Sequence, residues 1–184
     1  MKVVSVNLSE PVCIEWNGKS VSTGIFKKPV ESILLETEKV RGDTISDLSV
    51  HGGPDKACYL YSSDFYDYWK SRYPLVDWGY GMFGENVTIS GMDEANLKIG
   101  STYHLGEALV SISQPRHPCY KLGVKFGSQK ILKDFIRFGH PGSYVRILKP
   151  GWVKQGDRFE LVEQSDKVSI QEVFSFIYHK GQKN

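Results

Sequence analysis

Thr102-Tyr-His-Leu-Gly-Glu-Ala-Leu-Val-Ser-Ile-Ser113 carries the clearest fold signal in the chain. Two short runs, Thr102–Leu105 and Ala108–Ser113, flank Gly106-Glu107, and in the second run Val110 and Ile112 alternate with Leu109, Ser111 and Ser113. Successive side chains of a strand point to opposite faces, so this period of two around a glycine-led turn predicts a β-hairpin. The same grammar recurs on either side. Residues 2–8 form an apolar-rich run, and Val12–Trp16 and Ser20–Thr23 flank Asn17-Gly18, the pair that best tolerates the two positive φ angles of a type I′ turn. Val30–Glu36 is rich in β-formers. Ser143–Lys149 is followed by Pro150-Gly151 and then by Arg158–Glu163, where Phe159 and Leu161 alternate with charges. Many short strands punctuated by Gly and Pro predict a mainly β class with a barrel-like, closed or nearly closed architecture. No strand–helix–strand rhythm with a glycine-rich phosphate loop occurs, so neither a Rossmann nor a P-loop fold is expected.

Three stretches carry helix signals. Ser62-Ser63-Asp64 can cap a helix bearing Phe65, Tyr68, Trp69 and Arg72, with Pro74 stopping it. Ser128 can cap a helix whose Ile131, Leu132, Phe135 and Ile136 share one face and which ends at Gly139. Ser169 and Glu172 have capping-box spacing, and Ile170, Val173, Phe174 and Ile177 then form an apolar stripe suited to docking on a core. Asp166-Lys167 follows the last strand, so we divide the chain into a β domain over 1–165 and a helical tail over 166–184.

With 184 residues, 40% apolar and 24% charged, the chain has the size and balance of one globular domain. A net charge of +2 is too small for a bulk nucleic-acid or membrane surface. No apolar run approaches the length of a membrane span, and the N-terminal segment enters its first strand without a leader-like apolar stretch. Cys13, Cys58 and Cys119 are scattered and odd in number, which argues against a disulfide framework and for a reducing compartment, so a cytoplasmic location is expected. Three cysteines also cannot make a four-cysteine zinc or iron–sulfur site within one chain.

The chemistry-bearing residues gather in three loops. Ser49-Val-His-Gly-Gly-Pro-Asp-Lys56 places His51, Asp55 and Lys56 on an obligatory turn, a pattern that alone reads as a solvated turn. Gly81-Met-Phe-Gly-Glu-Asn86 has two glycines that let backbone approach a ligand, beside the polar Glu85 and Asn86. Ser113-Gln-Pro-Arg-His-Pro-Cys-Tyr-Lys121 is stiffened by two prolines and sets Cys119 among Arg116, His117 and Lys121. Cationic neighbours favour the thiolate, the form that ligates metals or attacks electrophiles. Cys13 and Cys58 lack that setting and read as small core hydrophobes.

Thr23-Gly-Ile-Phe-Lys-Lys-Pro29, Val50-His-Gly-Gly-Pro-Asp-Lys56, Phe83-Gly-Glu-Asn86 and Ser113-Gln-Pro-Arg-His-Pro-Cys119, in that order, resemble the MOSC domain family over roughly residues 1–165. The likeness is to the bacterial branch that reduces N-hydroxylated purines and similar compounds. It extends to the C-terminal domain of molybdenum-cofactor sulfurase and to the mitochondrial amidoxime-reducing component. The resemblance implies a β-barrel-like fold, a pyranopterin-bound molybdenum cofactor of the molybdopterin type, and Cys119 as the thiolate ligand of the metal and catalytic centre. Pyridoxal phosphate is not expected. Bacterial members of that branch carry a longer helical C-terminal region, where this chain has one helix before Gly181-Gln-Lys-Asn184.

From that resemblance, Lys27, Lys56 and Arg116 are candidates for the pterin phosphate, since ammonium and guanidinium groups match that anion. His51, Asp55, Glu85 and Asn86 are candidates for pterin hydrogen bonds or proton delivery. A molybdenum-dependent oxidoreductase of N-hydroxylated small molecules such as hydroxylaminopurines and amidoximes follows. It would need a separate electron-transfer protein, because no nucleotide motif or cluster site is present in the sequence. Two other readings remain at this point: a sulfur or persulfide carrier using Cys119, and a non-catalytic cofactor-binding module.

Overall fold

A computed structural model describes residues 1–44 and 52–178. In chain order the strands are β1 (Lys2–Leu8), β2 (Val12–Trp16), β3 (Lys19–Thr23), β4 (Lys28–Val30), β5 (Ser32–Glu36), β6 (Lys39–Val40), β7 (Cys58–Ser62), β8 (Val87–Ser90), β9 (Thr102–Leu105), β10 (Ala108–Pro115), β11 (Ser143–Lys149), β12 (Gly151–Lys154) and β13 (Phe159–Glu163). The helices are α1 (Tyr66–Arg72), α2 (Tyr120–Lys125), α3 (Lys130–Phe138) and α4 (Ile170–Tyr178). Eight strands pair into one sheet in the order β13-β9-β10-β11-β7-β8-β1-β4. β12-β5-β6 form a second sheet, and β2–β3 stand as a separate hairpin.

The class is mainly β, as the sequence predicts, but barrel is a loose word for it. The ends of the large sheet meet only along the short Met1–Val3 and 156–159 segments, where Lys2 bridges Arg158, the Phe159 N–H donates to the Met1 carbonyl at 3.1 Å, and Val3 exchanges backbone bonds with Asp157 and Gly156 at 2.8 and 2.9 Å. The reason lies in β1, which pairs with β8 along one edge and gives Val6–Leu8 to β4 on the other. β4 therefore occupies the edge that β13 would need for a continuous ladder.

The local signals explain most elements. Asn17 and Gly18 adopt φ of 50° and 73°, so the β2–β3 turn is the left-handed pair that Asn-Gly favours. In β10, Ala108, Val110 and Ile112 are buried while Leu109 and Ser111 are only partly so, which is the alternation expected. Val30–Glu36 does not run as one strand. Glu31 separates β4 from β5, and the two halves join different sheets.

At α4, Ser169 Oγ accepts from Glu172 N at 3.2 Å and Glu172 Oε2 accepts from Ser169 N at 2.7 Å, completing the capping box. Ile170 and Phe174 are fully buried, whereas Ile177 at the far end of the stripe stays exposed. Gly139, with φ of 80°, ends α3 in the left-handed conformation that glycine adopts without steric cost.

β7 divides the interior in two. Cys58 and Leu60 face an aliphatic core with Val6, Ile89, Val110 and Val145, while Tyr59 and Tyr61 face an aromatic core with Trp69, Phe83, Phe135 and Phe174. A strand buried on both faces has no polar alternation, which hides it from a period-two reading. β7 also makes the one parallel pairing of the large sheet, with β8, and α1 lies in the crossover between them.

Candidate functional site

Each of the three loops sends residues to one pocket, with about 90 Å³ of room for solvent, at the end of β7 and β10. Lys27, Lys56, Asn86, Arg116 and Cys119 line it. Two other sequence candidates do not. Asp55 points outward and pairs with Arg146, whose Nε lies 2.9 Å from its carboxylate. Glu85 is fully buried beneath the pocket wall. His51 lies outside the described residues.

Glu85 holds the loop that carries it. Its carboxylate accepts from Gly81 N at 2.9 Å, Phe83 N at 3.0 Å, Thr88 Oγ1 at 2.9 Å and the Tyr66 hydroxyl. Oε1 takes three of these donors and Oε2 the fourth, and the carboxylate is fully buried, so this side chain shapes the turn and does not reach the pocket. Gly81 shows why the turn needs glycine: its φ is 83°, and a Cβ there would meet the Lys27 carbonyl at 2.9 Å. The 81–84 turn thus packs directly on the 25–27 segment.

Lys125 stitches those two segments together. Its ammonium donates to the Ile25 carbonyl at 2.9 Å and to the Gly81 carbonyl at 2.7 Å. Burial lowers its pKa to about 8, helped by Lys27 and Arg116 and opposed by Glu85. Lys27 is also committed: it pairs with Asp43, and both side chains are 6% exposed. Asp43 further accepts from Asn86 Nδ2 at 2.8 Å and from Ser9 N at 3.1 Å. It is the one acidic side chain among the described residues lining the pocket.

Arg116 differs from these cations. It is 5% exposed, its guanidinium carbon lies 5.3 Å from the Tyr59 ring centre and 5.6 Å from that of Phe135, and its Nη1 finds no acceptor among the described residues. Burial holds Tyr59 well above the ordinary tyrosine range although Arg116 pulls the other way, so its hydroxyl stays a donor, to the Pro141 carbonyl at 2.7 Å. A buried guanidinium without a carboxylate partner is costly unless an anion joins it.

Cys119 caps α2 in an extended conformation and is half-buried at the pocket wall. The other thiols are elsewhere. Cys13 is exposed on the β2–β3 hairpin, and Cys58 is buried in the aliphatic core, where desolvation pushes its pKa far up and keeps it an inert thiol.

Sequence reading missed Asp43, Tyr59 and Tyr144, which also line the pocket, and Lys125 behind it, and it gave Lys121 no role beyond a charge near Cys119. Lys121 and Lys125 lie one helical turn apart, a signal hidden because α2 has only six residues and no apolar stripe. Tyr59 and Tyr144 come from strands, opposite one another in the β7–β11 register.

Residues 47–160 match the MOSC domain. YflK of Bacillus subtilis, an uncharacterized protein, is 41% identical over 182 residues, spanning 96% of this chain and 80% of that one. The crystal structure of YiiM from Geobacillus stearothermophilus aligns with a TM-score of 0.80 at 32% identity, covering 99% of this chain and 86% of that one. A protein of Gibberella moniliformis named a reductase is 35% identical over 153 residues, which make up 80% of this chain and 27% of that protein. By the matched span and by these identities, the chain belongs to the MOSC domain family.

Proposed function

We propose that this protein is a molybdenum-cofactor-dependent reductase of N-hydroxylated compounds, with Cys119 as the protein's ligand to the metal. MOSC domains are associated with the molybdenum cofactor in general. The observation that carries the reading is the buried, unsatisfied Nη1 of Arg116 in the same pocket as the Cys119 thiol. Arg116, Lys56 and Lys121 put positive charge on a pocket whose single carboxylate among the described residues, Asp43, is already paired to Lys27. That is a fit for an anionic ligand. Among the described residues, no three His, Cys, Asp or Glu side chains gather to hold a metal. One soft sulfur donor suits a metal that arrives with sulfur ligands of its own, as a pyranopterin dithiolene provides.

When bound, the cofactor supplies the oxygen-accepting, two-electron chemistry that converts N–OH to N–H. The overall step takes two electrons and two protons and releases the amine and water. The chain's own residues then have separable tasks. Arg116, Lys56 and Lys121 neutralise and orient the anionic end. Lys27 and Asn86 hold the Asp43 carboxylate at the pocket wall. Glu85 and Lys125 keep the two wall segments in register. Electrons come from a separate donor protein.

The test is metal analysis of protein made in a molybdenum-competent host, followed by assay with hydroxylaminopurine or an amidoxime. Reduced viologen should support turnover and NADH alone should not. Full molybdenum occupancy with no turnover from any donor would leave only a cofactor-binding module, and a metal-free Cys119 in the holo-protein would favour sulfur transfer.

A further inference from the structure

The β2–β3 hairpin is the least supported element of the fold. It pairs with no other strand, and Val12, Cys13, Glu15 and Lys19 are exposed along it. An isolated two-stranded hairpin is marginal in water, so its position depends on what its side chains touch. Ile14 is buried beneath it. At its tip, just before the Asn17-Gly18 turn, the Trp16 ring stacks on Tyr120 with ring centres 4.7 Å apart and planes 23° apart.

Tyr120 is the residue after Cys119, and the other end of the hairpin runs directly into Thr23 and Gly24, which line the pocket. Both residues of the stack are partly exposed. The Lys121 ammonium lies 6.0 Å from the Tyr120 ring centre, and Lys121 itself lines the pocket. A hairpin that runs into the pocket wall at Thr23 therefore ends in an aromatic pair whose second ring follows Cys119 in the chain. Ile14 anchors the hairpin, and the partly exposed indole at its tip adds a stacking face at the rim.

From this juxtaposition, and building on the proposed reductase activity, we infer that Trp16 is the specificity-determining residue for planar heteroaromatic N-hydroxylated substrates. The indole stacks the ring system of a purine-like substrate and so presents its N–OH group to the pocket, while Tyr120 is the partner of Trp16 when no substrate is bound. Stacking is tolerant of ring identity because every such ring has a π-face, and it gives nothing to an aliphatic substrate. Trp16 thus sets the preference between flat and aliphatic substrates without touching the reacting bond.

Two measurements on the full-length protein test this. In the metal-loaded enzyme, the ratio of kcat/KM for 6-hydroxylaminopurine over that for an aliphatic amidoxime should fall by about fivefold or more in Trp16→Leu, and Trp16→Phe should restore most of it. In metal-free protein, 6-hydroxylaminopurine should quench the Trp16 part of the fluorescence, taken as the difference between wild type and Trp16→Phe. Its Kd should weaken in Trp16→Leu by a similar factor. An unchanged ratio, an equal loss for both substrates, or unchanged purine binding in Trp16→Leu overturns the inference. So does a wild-type protein that does not bind the purine. Purine binding that depends on Trp16, without turnover of either substrate, would instead overturn the reductase reading and leave the stacking role standing. Thermal midpoints of the variants, together with the Phe rescue, separate loss of the stack from loss of the hairpin.

Discussion

The phenol oxygen of Tyr178 lies 3.0 Å from Nδ1 of His117, which ties helix α4 to the loop that carries Cys119. The tie has a floor beneath it. Tyr178 packs on Phe174 at 4.7 Å between ring centres, Phe174 meets the edge of Phe135 at 6.5 Å, and Phe135 lies under Arg116. The helix is thereby built into the support of the thiol loop, reaching Arg116 from below and His117 from the side. Partial burial, with Lys56 and Arg116 nearby, holds His117 below its ordinary pKa, so near neutral pH the ring meets Tyr178 uncharged.

Tyr178→Phe keeps the ring contacts and removes only the hydrogen bond. Stability should fall by about 1 kcal/mol or less, roughly 2–4 °C in midpoint for a domain of this size. Cys119 should react severalfold faster with iodoacetamide at one fixed pH, because the loop is freer to open. An alkylation rate equal to that of wild type would show that the tether does not restrain the loop.

Cys119→Ser should abolish molybdenum retention and reduction of N-hydroxylated substrates while leaving the thermal midpoint nearly unchanged, since the side chain is only half-buried. Cys13→Ser, on the exposed hairpin, should be silent in both measurements. Cys58→Ser should retain its metal yet lose about 1–3 kcal/mol of stability, because a hydroxyl replaces a thiol in an aliphatic core. Retained metal and turnover in Cys119→Ser would remove the central assignment.

Arg116→Met should separate stability from binding. The substitution replaces a buried cation, whose Nη1 has no acceptor among the described residues, by an apolar chain of similar length, so the metal-free variant should be about as stable as wild type. Inorganic phosphate should raise the melting temperature of wild type and have little effect on the variant. Equal phosphate shifts in the two proteins would mean that Arg116 is not the anion's anchor.

Several strands with one wet face were legible in the sequence, and so were the helix caps, because each leaves a local mark: alternation in β10, Asn-Gly between β2 and β3, Ser169 and Glu172 three residues apart; β12, which also alternates, was passed over because Pro150-Gly151 reads as a turn. β7, β8 and α2 left no such mark. β7 and much of β8 are buried on both faces, and α2 is too short for its periodicity to be seen. Within the site, Cys119, Arg116, Lys27, Lys56 and Asn86 were found from the motifs they sit in. Glu85 sat in such a motif too, but no local pattern says that its carboxylate will be buried and turned onto backbone amides and the Tyr66 and Thr88 hydroxyls. Asp43 was missed because its partners, Lys27 and Asn86, are 16 and 43 residues away.

Lys125 makes stability depend on pH in a definite direction. Its folded-state pKa, about 8, lies below the ordinary 10.5, so between those values the unfolded chain binds a proton that the native protein has released. The free energy of unfolding contributed by this group therefore rises with pH across that window and is lowest below pH 8. Urea denaturation at pH 7.5 and 9.5 should show wild type gaining about 2 kcal/mol relative to Lys125→Met. A difference between the two proteins that stays flat across this range would show that the buried ammonium is better solvated than its surroundings indicate.

The contacts that draw the pocket together span long stretches of chain. Asn7 bonds Thr88 across 81 residues, Lys125 reaches Ile25 across 100, and Tyr59 N meets Asn86 across 27. Closing loops of that size comes late in folding, since their entropy must be lost before the contacts return anything. Hairpins such as β9–β10 need only local closure, whereas the pocket needs the long-range contacts. Until those contacts form, Cys119 lacks the cationic neighbours that the folded pocket assembles around it. On the proposed reading, a cofactor held by this pocket enters a finished sheet, not a growing chain.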